Sequence, residues 1–172
     1  MIAPTPDDCE WYTPPEILER VYRIMPIDLD PASSPQSTVL AKRYYTKQDD
    51  GLSQPWEGNI YLNPPYGREA AKWIDKLVTE YKANRTQQAI LLIHAKTDTR
   101  WFNQLVDWTA AMVCIKGRLR FVSPEGVRKN AGTFPSLVFL LSTNHSTRMR
   151  FFNEFSEIGT VWQRVWFSEH MK

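Results

Sequence analysis

Apolar residues along this chain fall into two patterns: stripes at helical spacing and short unbroken runs. Ala70, Trp73, Ile74, Leu77, Val78 and Tyr81 recur at i, i+3, i+4, i+7, i+8 and i+11, which predicts an amphipathic helix over 70–81. Ile17, Leu18, Val21, Tyr22 and Met25 predict an earlier helix that stops at Pro26. Its start carries Thr13 as N-cap, Pro14 at the first helical position and Glu16 to close a capping box. A third helix begins near Asp98 or Thr99 and carries Trp101, Phe102, Leu105 and Val106, and a fourth falls around 150–157. Between these lie strand candidates at 27–30, 59–62 and 88–93, with a weak one at 43–46. The run 88–93 is the pattern of a strand buried on both faces. Two further apolar runs, 111–115 and 137–141, have no obvious helix between them and read as strands joined by a long loop or hairpin extension. A last strand is expected at 161–167. Buried strands alternating with amphipathic helices predict an α/β fold, its sheet mostly parallel with an antiparallel strand near the C-terminus.

Length and composition narrow the class. The 172 residues suit one domain, 1–172, and 42% hydrophobic with 13% aromatic content excludes disorder. No apolar run approaches the roughly 20 residues that span a bilayer, so no membrane partner is expected. Met1 is followed by Pro4, Pro6, Asp7 and Asp8, unlike a secretory leader. Cys9 and Cys114 are too few for a disulfide framework and lack the spacing of a zinc site. Two free thiols, no metal and a cytoplasmic setting are the expectation.

Net charge is only +2, but it is unevenly spread. Asp7, Asp8, Glu10, Glu16, Glu19, Asp28 and Asp30 face Arg20 and Arg23 alone in the first 31 residues. Further on, Lys116, Arg118, Arg120, Arg128 and Lys129 crowd together against Glu125. A polyanion partner fits that asymmetry, and so does a solvated charged loop.

The candidate chemistry centres on Asn63-Pro64-Pro65-Tyr66, directly after a predicted strand. Two prolines cannot continue a ladder, so the backbone stiffens at the carboxyl end of the strand, where open α/β sheets bind ligands. An amide side chain, a rigid carbonyl and an aromatic face are thereby held together. Such a set accepts two hydrogen bonds from an exocyclic amine while stacking a flat ring. The same string also fits a Pro-Pro turn with a packed tyrosine, and alone it leaves both readings open.

The wider set of motifs is more specific. Trp11-Tyr12-Thr13-Pro14-Pro15-Glu16, Asp28-Leu29-Asp30-Pro31-Ala32-Ser33, Asp49-Asp50-Gly51-Leu52-Ser53-Gln54-Pro55-Trp56 and Asn63-Pro64-Pro65-Tyr66-Gly67 occur in that order. Lys96-Thr97-Asp98-Thr99-Arg100-Trp101-Phe102, Lys116-Gly117-Arg118-Leu119-Arg120-Phe121 and Phe134-Pro135-Ser136 follow. Together they closely resemble the phage-type DNA N6-adenine methyltransferase family over residues 9–141, while the tail from Asn144 has no counterpart in that pattern.

The resemblance implies a Rossmann-like methyltransferase fold, S-adenosylmethionine as cofactor and adenine in DNA as acceptor. It implies a site-specific, phage- or prophage-encoded enzyme acting in a bacterial cytoplasm. Trp11, Thr13 and Pro14 then correspond to the N-terminal cofactor contact, and Asp28, Asp30 and Pro31 to the motif after the first strand. Asp49 and Asp50 correspond to the acidic position at the cofactor's adenine or ribose, with Asp50 favoured. Asn63, Pro64, Pro65 and Tyr66 correspond to the catalytic loop. One departure stands out: the turn Asp30-Pro31-Ala32-Ser33 lacks the glycine many methyltransferases place there for close backbone approach to the methionine part of the cofactor.

Adenine N6 is a poor nucleophile because its lone pair is delocalised into the ring. If Asn63 oxygen and the Pro64 carbonyl accept its two hydrogens, the nitrogen moves toward sp³ geometry and can attack a sulfonium methyl in line. Asparagine does not titrate in the useful range, so positioning and polarisation carry the rate, and an acceptor oxygen is all that position 63 requires. Tyr66 would stack a base that has left the duplex. Lys116, Arg118, Arg120, Arg128 and Lys129 are candidates for phosphate contact, and Arg118, Arg120, Arg128 and Asn130 for base edges. The segment 116–135 forms the expected DNA-contacting loop, apart from the cofactor motifs. With no separate recognition domain, sequence choice falls to such loops or to a dimer, so monomer and homodimer both stay open. His94, His145 and His170 are scattered and read as structural. RNA adenine or a protein amide as acceptor, or an inactive nucleic-acid-binding protein of this fold, are the competing readings.

Overall fold

Successive side chains of a strand point to opposite faces. Along Thr86–His94 (β4), Ile90 and Leu92 face one way, Ala89, Leu91 and Ile93 the other, and all five are buried. A sheet apolar on both faces must be covered on both. The computed structural model, which describes residues 11–123, 126–128 and 134–164, shows that arrangement. Helices Pro15–Ile24 (α1) and His145–Phe155 (α4) cover one face with Ile17, Val21, Phe151 and Phe155. Helices Ala70–Lys82 (α2) and Arg100–Trp108 (α3) cover the other with Ile74, Leu77 and Leu105.

The remaining strands are Ile27–Asp30 (β1), Ala41–Tyr44 (β2), Gly58–Leu62 (β3), Ala111–Ile115 (β5), Ser136–Leu141 (β6) and Gly159–Gln163 (β7). Their order across the sheet is β2-β1-β3-β4-β6-β5-β7. Pairs β2–β1, β1–β3 and β3–β4 are parallel, whereas β6 runs antiparallel to β4 and β5, and β7 antiparallel to β5. The chain steps outward from β1 to β2, then returns past β1 to β3. That reversal is a topological switch point, where ligands bind at the carboxyl ends of the strands.

Two helix starts differ from expectation. Thr13 makes no capping bond; α1 begins one residue later, with Pro14 as its cap residue and its carbonyl accepting from Ile17 and Leu18. The Thr13 hydroxyl lies 2.6 Å from the Tyr61 hydroxyl instead, because a fully buried phenol needs a polar partner more than a solvated helix end does. Glu16, freed from a capping box, pairs with Arg128. Helix α4 starts at His145, earlier than its apolar residues suggest, because Asn144 caps it by accepting from the Thr147 amide at 3.0 Å. The last strand, 159–163, starts two residues before the expected 161–167 and shares 161–163 with it; residues from 165 onward are outside those described.

Glu80 on α2 is buried and bonded to Lys76 and Arg85, each at 2.5 Å, which ties the helix end to the entry of β4. Glu80→Ala should lower the unfolding free energy by about 1.5–3 kcal/mol, the range for hydrogen bonds to charged groups. Glu69→Ala, which breaks an exposed pair with Lys72, should change it by under about 1 kcal/mol. Urea denaturation of both variants makes the comparison, and equal effects would show that burial of Glu80 is irrelevant.

Candidate active site

The carboxyl ends of β1 and β3 open onto a cavity of about 350 Å³, within the range of small-molecule sites. Its walls come from the N-terminal segment around Tyr12, the loop after β1, the loop around Asp50 and the Asn63–Pro65 turn. The loop around Asp50 is anchored by Trp56, which is fully buried, stacks on Trp73 and donates to the Gly51 carbonyl at 2.7 Å. A Cβ on Gly51 would sit 2.1 Å from the Pro31 carbonyl oxygen. The facing loop therefore packs against the turn after β1 at a distance that only glycine at 51 permits.

The four acidic candidates separate. Asp30 and Asp50 line the cavity, whereas Asp28 and Asp49 do not. Asp28 lies two residues back from the strand end, about 7 Å along β1. Its carboxylate accepts from the Asn59 amide at 2.9 Å and pairs with Lys42 at 2.7 Å, so it joins strands rather than facing a ligand. Asp49 accepts from the Thr46 amide and hydroxyl at 2.8 and 2.7 Å, bonds that close its own turn and hold its carboxyl below the usual range. Asp50 takes a left-handed backbone, φ 50°, which aspartate tolerates, and among the described residues nothing bonds its carboxylate. Asp30 is 4% exposed. Burial pushes its carboxyl up to about 6, although Ser33, the Ala32 amide and Ser37 donate to it. Pro31, Trp11 and Thr13 also line the cavity; Pro14 does not.

Asn63 follows β3, and its amide is held at both ends. Nδ2 donates to the Trp11 carbonyl at 2.7 Å and to the Thr13 hydroxyl at 3.3 Å. A backbone carbonyl only accepts, so that contact fixes which end of the amide is the NH₂. Oδ1 accepts from the Tyr66 hydroxyl at 2.8 Å and keeps a second lone pair. Burial raises both the Tyr61 and the Tyr66 phenols, so each remains protonated and able to donate. An acceptor oxygen is thus only half of what the structure asks of position 63: the donor side is used as well.

Tyr66 lies flat against His94, ring centroids 3.8 Å apart and planes 8° from parallel, with Phe121 edge-on at 5.8 Å. His94 ends β4, directly beside β3, and also contacts Phe134. Burial and the nearby Lys96 push its imidazole down to about 4, so it is neutral at pH 7. Read from sequence as structural, this histidine is brought to Tyr66 by the pairing of β4 with β3.

In the basic segment, Lys116, Arg118 and Arg120 are exposed. Arg128 is paired with Glu16 at 2.8 Å, which removes it as an uncommitted phosphate contact. Lys129 and Asn130 lie outside the described residues. The segment turns on itself, Val122 bridging Arg128, and Val122 also bridges Tyr12 in both backbone directions. It is consequently joined to the N-terminal wall of the cavity, not apart from it. Tyr12 in turn accepts from the Ser34 hydroxyl at 2.6 Å.

Among the described residues no three His, Cys, Asp or Glu side chains gather as a metal site would need. None of their helices is long and apolar enough to cross a membrane. Compared with known proteins, residues 3–161 match the family model for DNA N-6-adenine-methyltransferase (Dam). No curated protein matches the chain.

Asp30 gives a pH dependence with a definite sign. Its folded pKa, about 6, lies above the unfolded value, so the folded state binds the proton more tightly. Stability contributed by that proton is complete below about 4 and lost as pH rises to about 6. Asp30→Asn should flatten this window, and the wild-type-minus-variant difference should fall by on the order of 2–3 kcal/mol across it. Urea denaturation of both proteins from pH 4 to 7.5 measures it, and parallel curves would refute the assignment.

Proposed function

The chain belongs to the DNA N-6-adenine-methyltransferase (Dam) family, and from that premise we propose that it transfers a methyl group from S-adenosylmethionine to the N6 amine of adenine in DNA. The observation that carries this reading is the fixed amide of Asn63 at the rim of a ligand-sized cavity. When bound, the cofactor supplies an electrophilic methyl on a positively charged sulfonium. The cavity suits such a ligand in size and in its carboxylates: Asp30 buried at the end of β1, and Asp50 unengaged on the facing loop. Asp50 is the residue we assign to ribose or adenine hydrogen bonding, and Trp11, Thr13 and Pro31 to the walls.

On the acceptor side, the free lone pair of Asn63 Oδ1 and the Pro64 carbonyl are assigned to the two amine hydrogens. Both groups are stiff. Trp11 holds the amide, and the second proline restricts the residue before it. Acceptors already oriented need no reorganisation when charge develops on nitrogen, which is where their catalytic value lies. No side chain here has to take the proton in the methyl-transfer step itself. Lys116, Arg118 and Arg120, exposed on the segment bridged to Tyr12, are assigned to DNA phosphates.

Incubation with labelled S-adenosylmethionine and unmethylated DNA, then nucleoside analysis, tests the reading; RNA and protein acceptors in parallel define the substrate. Label in N6-methyladenine from DNA is the expected result, and its absence would refute it. Asn63→Ala should lower single-turnover transfer by about 10²–10³, the effect of deleting one preorganised polar group. Asn63→Asp keeps an acceptor but sets an oxygen against the Trp11 carbonyl, so its rate should fall between the two. An alanine variant with near-normal transfer would end the role assigned to this loop.

The basic segment makes a separate prediction. Arg118→Ala with Arg120→Ala should weaken DNA binding and reduce the salt slope by about 0.9 for each phosphate no longer neutralised. Titrations of duplex DNA at several salt concentrations read the slope, and an unchanged slope would leave the segment a solvated surface.

A further inference from the structure

One face of the Tyr66 ring is already covered. The His94 ring lies on it face to face at 3.8 Å, closer and more parallel than most aromatic pairs, which prefer offset or edge-on contacts. Beside the stack, bounded by Tyr66, Gly67, His94, Lys96 and Trp101, the open space is about 10 Å³. That volume holds at most one water, so a purine cannot be added without something leaving. Tyr66 is tied by its hydroxyl to Asn63, which is tied to Trp11. The His94 ring is held by aromatic contacts and, among the described residues, by no hydrogen bond.

A second observation points to a missing partner. Ser136 stands directly opposite His94 in the β4–β6 ladder. It is 2% exposed, and among the described residues its hydroxyl has no hydrogen-bond partner. Residues opposite each other in an antiparallel pair project to the same face with Cβ atoms about 5 Å apart. Buried hydroxyls without partners are rare, and this one projects to the same face of the sheet as the imidazole.

We propose that His94 is a placeholder for the acceptor base: its imidazole occupies the stacking face of Tyr66 in the free protein and swings out when adenine enters. This rests on the adenine-methyltransferase reading given above. The placeholder keeps the aromatic slot closed and filled while no base is present. It also sets a threshold, because an incoming ring has to displace an existing stack. A base that stacks and also engages Asn63 and Pro64 gains what the imidazole lacks.

Steady-state methylation of unmethylated DNA by wild type, His94→Ala and His94→Phe tests the exchange. Aromatic pairing of the usual strength translates to about two- to tenfold in equilibrium. His94→Ala should therefore lower the KM for DNA by about that factor without reducing kcat, and His94→Phe, which stacks and cannot be satisfied elsewhere, should raise it. A reduced kcat in both variants at unchanged KM would overturn the proposal and make His94 a fixed support of Tyr66. A readout independent of turnover separates this from the underlying reading. Stacked on Tyr66, the His94 Cε1 proton should resonate upfield, identified by its loss in His94→Ala. Adding adenosine 5′-monophosphate at millimolar concentration should return that resonance toward its unstacked position. An immobile resonance would overturn the placeholder even if the wild type methylates DNA. Displacement by nucleotide in a protein that transfers no methyl group would instead keep the slot and refute the reaction.

Discussion

The hydrogen bond from Asn63 to the Trp11 carbonyl holds the site together. It joins residues 52 apart in sequence at 2.7 Å, and it decides which way the amide points. For that carbonyl to be in place, the segment 11–13 has to dock over the sheet. It does so through the Thr13–Tyr61 contact below, the Tyr12–Ser34 contact on the cofactor side and the Tyr12–Val122 bridge on the other. Each contact belongs to a different assigned task. The proposed cofactor wall, the Asn63 amide and the basic segment thus share one short piece of chain. On the proposed reading, movement of the basic segment on DNA would be felt at Trp11, and a ligand that orders the cavity wall would pre-order that segment, a coupling that must be reciprocal.

What the sequence made legible follows from the range of the forces involved. The stripe at 70–81 and the apolar run at 88–93 became α2 and β4 because burial of a repeating pattern is decided locally. Thr13 failed as a cap for the opposite reason. Its competing partner, Tyr61, is 48 residues away, and nothing near Thr13 records that a buried phenol waits there. The same limit separated the acids. Asp28 and Asp30 look alike in sequence, but one meets Lys42 from the neighbouring strand while the other ends the strand at a cavity. Asp49 and Asp50 divide similarly, the first spent on its own turn and the second left facing the cavity.

The stiff turn at Asn63-Pro64-Pro65-Tyr66 was visible because proline chemistry is intrinsic to the residues. Its neighbour His94 was not, because a lone histidine carries no local signature. Only the placement of β4 beside β3 brings that ring to Tyr66. Gly51 is a further case: a Cβ there would meet the Pro31 carbonyl, a contact set by how the two loops face each other and not by the residues beside Gly51.

On the proposed reading the protein must bring a cationic donor and a polyanionic acceptor to one point, using charges of both signs. Their placement keeps them from cancelling. Asp30 is buried and acts at short range in a low-dielectric wall, where an opposite charge is worth more than at the surface. Lys116 and Arg120 are exposed, and no described side chain pairs with either. Solvent screens them within about 10 Å at 0.1 M salt, and none of the described residues of 116–128 lines the cavity. The exposed cations can therefore gather DNA without repelling a positive ligand in the cleft. The catalytic turn between the two regions carries no formal charge from Asn63 to Tyr66. Neutral dipoles are what such a junction requires, since a carboxylate there would repel phosphate and an ammonium would repel the sulfonium.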